Sequence, residues 1–337
     1  MTKTPLLFTT KANTLKFLQN KLSKSKIEPL FDFTVLEWKQ NSNNIVNSIF
    51  KKFINQKIII RSSAKGEDSF DNSQAGSYLS ILNINSNKKS EIKNSINSVN
   101  QSYLKKNNLE LKNQIFVQKQ SVNIKISGVI FTKAGNMGLP YYLVNYDLGS
   151  STTSVTSGKE TKTLVIFRKK TLNGLPKYWK NLVKAIREIE LIVKSEELDI
   201  EFGINENDQI IIFQVRPITF IENTPMFNSE KLIEKKIVKS KNKFSNIKFP
   251  KNTIGKKTIF SDMADWNPSE IIGNNPNLLD YSLYNFLIMN EIWHKSRSEL
   301  GYQNLDSYPL MATFGNKPYV DLRASFNSLL PNNLELK

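Results

Sequence analysis

Apolar positions along the first two thirds of the chain recur with two periods, and their alternation predicts a mixed α+β protein. In 11–22, Leu15, Phe17, Leu18 and Leu22 fall at near-helical spacing, and in 40–54 Ile45, Ile49, Phe50 and Phe53 share one helical face. Ile92, Ile96, Val99 and Tyr103 do the same in 88–108, and 178–195 reads as a strongly amphipathic helix. Between these helices lie short β-rich runs at 57–63, 76–84, 113–121, 126–133, 139–149 and 161–169.

The clearest local signal is 198–218, two β-rich runs around the polar stretch Asn205–Asp208. With an even-length turn centred on Glu206 and Asn207, Asp199 sits opposite Gln214 and Glu201 opposite Ile212. Alternation then groups Asp199, Glu201, Gln214 and Arg216 on one face, with Ile200, Phe202, Phe213 and Val215 on the other. Such a hairpin is either a ligand platform or a solvated surface.

Residues 1–222 are therefore expected to form one β-rich domain. The stretch 223–258 is polar, basic and weakly periodic, and reads as a linker. In 259–337, Asn267, Pro268 and Glu270 have the spacing of a helix N-cap, a first-turn proline and a capping-box acid. A helix through 278–293 follows. This last segment reads as mostly helical and, lacking a closing element, as part of a larger domain.

Composition narrows the chemistry. The net charge is +17, but only six basic residues are arginines, and the one dense basic run, 234–257, falls in the linker. Nucleic-acid readers concentrate basic groups on a stripe with stacking aromatics, so nucleic acid is not an expected partner, whereas anionic small ligands are favoured. Cysteine is absent and His294 is the single histidine, which excludes disulfides, thiolate catalysis and Cys- or His-cluster metal sites. No apolar run has the roughly 18 residues of a membrane span, and the apolar stretch at the N-terminus is too short for a signal peptide. A cytoplasmic protein without membrane contact is expected.

In a lysine-rich chain each arginine is informative. Arg61 ends the apolar run Ile58–Ile60, and is either a strand-end group bonding carbonyls or a two-point phosphate contact. Glu201 and Gln214 offer oxygen donors on adjacent strands, a set that suits Mg²⁺ completed by water and phosphate, although a solvated face explains them equally well.

Taken in order and spacing, "RSSAKGEDS…SQAGSY", "IFVQKQ…SGVIFTK" and "LDIEFGI…IIIFQVRPIT" resemble the ATP-grasp nucleotide-binding region of the phosphoenolpyruvate synthase and pyruvate phosphate dikinase family, over about Lys11 to Thr219. The resemblance implies a fold of two β-rich lobes that clamp ATP. It implies that Glu201 and Gln214 hold Mg²⁺, that Arg216 contacts phosphate and that Arg61 grips the phosphate chain from the opposite lobe, the two arginines being the catalytic pair. Lys11 falls at the lysine of the family's glycine-rich opening, Gln118 and Lys119 on the strand lining the adenine pocket, and Gly76 and Ser77 on a loop over the phosphates. A phosphohistidine-bearing domain or partner chain would receive the phosphoryl group. The segment from "DMADWNPSEIIG" onward resembles the continuation in larger family members linked to surface-polysaccharide pathways.

Departures limit this reading. The glycine-rich opening is "TTKAN" here, the family's Gly-Leu-Gly-Glu loop is replaced by "NYDLGSSTTS", and no phosphohistidine motif is present. His294 lacks the small-residue context of a phosphoryl acceptor and reads as an ordinary helix residue. The expectation is the ATP-binding part of a phosphotransferase. The alternatives are a non-catalytic ATP-binding or regulatory module and the ATP domain of a small-molecule phosphotransferase.

Overall fold

The computed structural model describes residues 8–64, 79–105, 110–149, 162–218, 229–247, 253–306 and 308–334. The chain divides into two compact units at Phe227/Asn228.

The first unit holds α1 (Lys11–Gln19), β1 (Leu30–Thr34), α2 (Val35–Lys52), β2 (Lys57–Ser63), β3 (Ser80–Asn85), α3 (Lys89–Lys105), β4 (Gln114–Lys119), β5 (Ile124–Phe131), β6 (Tyr141–Leu148), β7 (Lys162–Phe167), α4 (Lys177–Val193), β8 (Leu198–Asn205) and β9 (Ile210–Pro217). The strands form two antiparallel sheets, ordered β1-β4-β2-β3 and β7-β6-β5-β8-β9. The expected α+β class is present, with two β-rich lobes and flanking helices.

Alternation assigns the faces. In the first sheet Phe33, Ile58, Ile60, Ile115 and Val117 join Ile45, Ile49, Ile92, Ile96 and Val99 of α2 and α3 in one core. The opposite face, which carries Arg61 and Phe116 as direct cross-strand partners, turns towards the second core. There Ala12, Leu15 and Leu18 of α1 meet Phe116, and the Trp179, Leu182, Val183, Ile186 and Ile189 stripe of α4 covers Ile200, Phe202, Ile212 and Val215. The helix expected from residue 40 begins at Val35, because Thr34 and Glu37 form a reciprocal capping box, with Asn41 leaving helical geometry inside. Strand β1 has no counterpart in the periodicity: five residues carry too little alternation to stand out.

The second unit holds α5 (Ser229–Ser245), β10 (Phe260–Ser261), α6 (Pro268–Ile271), α7 (Leu278–Tyr284), a π-helical turn (Asn285–Met289), α8 (Ile292–Glu299), β11 (Met311–Phe314), β12 (Lys317–Asp321) and α9 (Leu322–Asn327). It has its own core around Trp293, Met289, Leu310 and Val320. Two readings of this part change. The stretch taken as linker contains α5, which a lysine-rich sequence sustains through the helix propensity of its long straight side chains; Phe244 packs on Phe260 and Phe314. The mostly helical segment also contains a three-stranded antiparallel sheet, β10-β12-β11. Its hairpin turns through Gly315 and Asn316, both at positive φ, the pattern of a two-residue type I′ turn. Asn267 precedes α6 with Pro268 at the first helical position but makes no side-chain cap; its amide contacts the Met263 sulfur instead. No helix among the described residues is long and apolar enough to cross a membrane.

Candidate nucleotide and metal site

The hairpin β8–β9 sets the geometry of the candidate site, and its register differs from the even-turn expectation. Asn205 Oδ1 accepts from the amides of Asn207 and Gln209, and Asp208 takes a positive φ, so the loop is one residue longer. A β-bulge at Phe213 then adds a second shift. As a result Asp199 faces Arg216, and Glu201 faces Gln214. The polar face is the one expected, but its pairs are re-matched into carboxylate–guanidinium and carboxylate–amide.

The bulge also turns Phe213 out of the apolar face. Its ring lies over Gly203, where a Cβ would stand 2.6 Å from Cζ and 2.9 Å from Cε2. Its carbonyl accepts a hydrogen bond of 2.9 Å from Arg61 Nη1. The Arg61 guanidinium, 5.5 Å from the centre of the Phe116 ring, thus reaches across from the first sheet to the second. Its Nη2 lies 3.5 Å from Gln214 Oε1 and 3.5 Å from Glu201 Oε2. The strand-end role and the approach to a polar cluster are both present in this one side chain.

Beside it, Arg216 is held more tightly. Nε and Nη2 approach Asp199 Oδ2 at 2.7 and 2.6 Å. The other oxygen, Asp199 Oδ1, is buried without a hydrogen-bond partner among the described residues. Burial raises the Asp199 carboxyl above the ordinary aspartate range, and the neighbouring Glu201 adds to this, although Arg216 opposes both.

The remaining candidates are distributed as follows. Lys11 opens α1, whose start is fixed to the first sheet by the Ala12 amide donating to Ser63 Oγ at 3.0 Å and by Thr10 on Gln114. Lys11 therefore stands at the end of β2 that carries Arg61. Gln118 is buried on the Arg61 face of β4, and its amide donates to the Glu28 carbonyl at 3.2 Å. Alternation puts Lys119 on the other face of β4, with Val117, so its side chain is not brought together with Arg61. Gly76 and Ser77 lie outside the described residues.

The donor set has the chemistry of a hard-cation site. Glu201 Oε2 and Gln214 Oε1 already converge on a positive group, and Asp199 Oδ1 adds a buried oxygen nearby in the same strand. No group of three or more His, Cys, Asp or Glu residues able to hold a metal occurs among the described residues. A cation here would rely on two or three protein oxygens completed by water and ligand, an arrangement that suits Mg²⁺. The signals missed in the sequence are Asp199 as a buried carboxylate with a spare oxygen, and Phe213 as a bulge residue. The first was visible in the alternation; the second has no sequence signature.

Comparison with known proteins gives one family match within the first unit. Residues 34–177 match the pyruvate phosphate dikinase AMP/ATP-binding domain, the family that the motifs resemble. The match includes Arg61, Gln118 and Lys119 but stops before the hairpin. No curated protein matches the chain. Among solved structures, D-alanyl-alanine synthetase A from Vibrio cholerae is similar at 12% identity and TM-score 0.38, over 66% of this chain and 58% of that one. D-alanine-D-alanine ligase from Coxiella burnetii is similar at 10% identity and TM-score 0.37, over 67% and 52%. The dinucleotide-forming acetyl-coenzyme A synthetase 1 of Ca. Korarchaeum cryptofilum, in complex with coenzyme A and Ca-AMPCP, matches at 10% and 0.40, over 62% and 92%. The chain thus spans just over half the length of each of the first two.

Proposed function

We propose that the first unit binds Mg·ATP between its two β-rich lobes as the nucleotide half of a phosphotransferase. The observation that carries this reading is the convergence of Arg61, Glu201 and Gln214 from two different sheets onto one point. Glu201 and Gln214 would hold the metal, which supplies charge neutralisation along the phosphates. Arg216, fixed on Asp199, presents a permanent positive charge to phosphate oxygens from the hairpin, and Arg61 presents another from the opposite lobe. Phosphoryl transfer needs this kind of positioning and charge compensation more than it needs covalent chemistry. Gln118 would line the base end and Lys11 the phosphate end.

The phosphoryl acceptor is then a histidine other than His294. That side chain is 1% exposed in the core of the second unit, with Nδ1 2.9 Å from Asn304 Oδ1. The same burial favours a second reading, in which the domain binds ATP and turns over nothing by itself.

Titration calorimetry with Mg·ATP tests the first claim. Arg61→Ala, Glu201→Ala and Arg216→Ala should each weaken binding by about tenfold or more, as expected for loss of a charged contact; unchanged affinity in all three removes the proposal. AMP formation that requires an added histidine-bearing swivel domain separates phosphotransfer from binding alone.

A further inference from the structure

We propose that Arg61 is an internal competitor for the metal, so that cation entry at Glu201 and Gln214 hands its guanidinium over to the phosphates. The inference rests on the nucleotide reading above and concerns how the site loads. The two arginines of the site are held in contrasting ways. Arg216 makes two contacts of 2.6 and 2.7 Å to a single buried carboxylate oxygen. Among the described residues Arg61 makes one sound bond, to the Phe213 carbonyl, and reaches Glu201 and Gln214 only at 3.5 Å, the outer limit for such contacts. Arg216 is therefore the fixed charge and Arg61 the one that moves.

The oxygens that Arg61 approaches are those the metal needs. Mg²⁺ binds oxygen at about 2.0–2.1 Å, so a cation on Glu201 Oε2 and Gln214 Oε1 would lie against the guanidinium. Two positive groups so close repel strongly in a partly buried site, and one must leave. Arg61 can swing about its stem over the Phe116 ring, and a phosphate chain arriving with the metal offers it a better partner than a pair of long contacts. Metal and nucleotide then bind with positive coupling: each makes room for the other, and the coupling is reciprocal.

Mn²⁺ serves as the probe, titrated into the full chain and followed by the loss of the free-ion signal in electron paramagnetic resonance. Without nucleotide, Arg61→Met should bind Mn²⁺ about tenfold more tightly than the parent, because the competing charge is gone while the stem still packs. Arg61→Lys keeps a charge and should stay within about threefold of the parent. If the Met variant does not fold, Arg61→Gln repeats the comparison with a neutral group that can still donate to the Phe213 carbonyl. A parent that takes up Mn·ATP beside a neutral variant with no gain in Mn²⁺ affinity overturns the competition and leaves the nucleotide reading intact. A parent that takes up neither Mn·ATP nor Mg·ATP overturns that reading, and the competition with it.

Discussion

The five-stranded sheet carries an ionic cluster on each side, and the two are built on opposite plans. On the α4 side, Arg168 Nη1 donates to Glu190 Oε1 at 2.5 Å and to the Thr132 carbonyl at 2.9 Å. Tyr142 donates to the second Glu190 oxygen at 3.0 Å, and Arg187 donates to the Arg168 carbonyl at 2.6 Å. Glu196 closes the group with contacts of 3.2 Å to both Arg168 and Lys133. Burial and the adjacent Glu190 push the Tyr142 phenol up to about 12, so it remains a donor. Both Glu190 oxygens are used. On the other side, Asp199 keeps a buried oxygen without a hydrogen-bond partner among the described residues, and Arg61 spans long contacts. A closed network fixes a helix to its sheet. An open one leaves valences for something else to complete, and that difference sets the polar face apart from the α4 side.

The largest effect should therefore come from breaking the closed cluster. Glu190→Ala leaves the Arg168 guanidinium, 10% exposed, without its main counter-charge, and should cost about 3 kcal/mol of stability in urea unfolding. Glu201→Gln, on the open side, should change stability by less than about 1 kcal/mol. Comparable losses in the two variants would erase the distinction.

A pair of glycines, one on each face, sharpens it. A Cβ at Gly128 would stand 2.4 Å from the Asn145 carbonyl oxygen, a backbone atom of the neighbouring strand that cannot give way. Gly128→Ala should cost about 2–3 kcal/mol. A Cβ at Gly203 meets the tip of the Phe213 ring and, at 3.2 Å, Ile124 Cδ1, the far ends of side chains that can swing aside. Gly203→Ala should cost about 1 kcal/mol or less, yet shift the ring and weaken Mg·ATP binding; Gly128→Ala should leave affinity unchanged in whatever fraction folds. Equal stability losses would mean that the polar face is packed as rigidly as the apolar one.

These contrasts also explain how far the sequence could be read. Apart from β1, the strands and helices of the first unit follow from periodicity, and the polar face of the hairpin from strict alternation along Asp199, Glu201, Gln214 and Arg216. The pairings within it were not legible, because they depend on a loop held by the Asn205 side chain and on a bulge at Phe213. A one-residue slip changes every partner, and no local propensity announces a bulge. The α4-side network was hidden for another reason. Tyr142 lies on β6, Arg168 just beyond β7 and Glu190 on α4, and nothing in their spacing brings them together before the sheet forms. In the second unit, the Gly315–Asn316 turn was a readable hairpin signal, whereas α5 was masked by a lysine content that weakens its apolar stripe.

The smallest effect tests the same contrast through protons. Glu188, on α4, accepts from the Ser23 hydroxyl and from the Ser23 and Lys24 amides. Partial burial acts to raise its carboxyl, but these donors and the Lys24 charge outweigh it and hold it below the ordinary glutamate range. Its stabilising contribution is then present at neutral pH and is lost as pH falls through the lowered folded value. Asp199 runs the other way: burial and Glu201 raise its carboxyl despite Arg216. Its contribution is fullest below the ordinary aspartate value and is lost as pH rises through the raised folded one. Urea unfolding between about pH 3 and pH 7 should show the stability advantage of the parent over Glu188→Gln growing with pH. The advantage over Asp199→Asn should shrink with pH across the window above the ordinary aspartate value. Both differences should amount to about 1 kcal/mol or less. Parallel slopes would show that Asp199 is as well satisfied in the folded chain as Glu188, and would remove the open valence on which the contrast between the two faces depends.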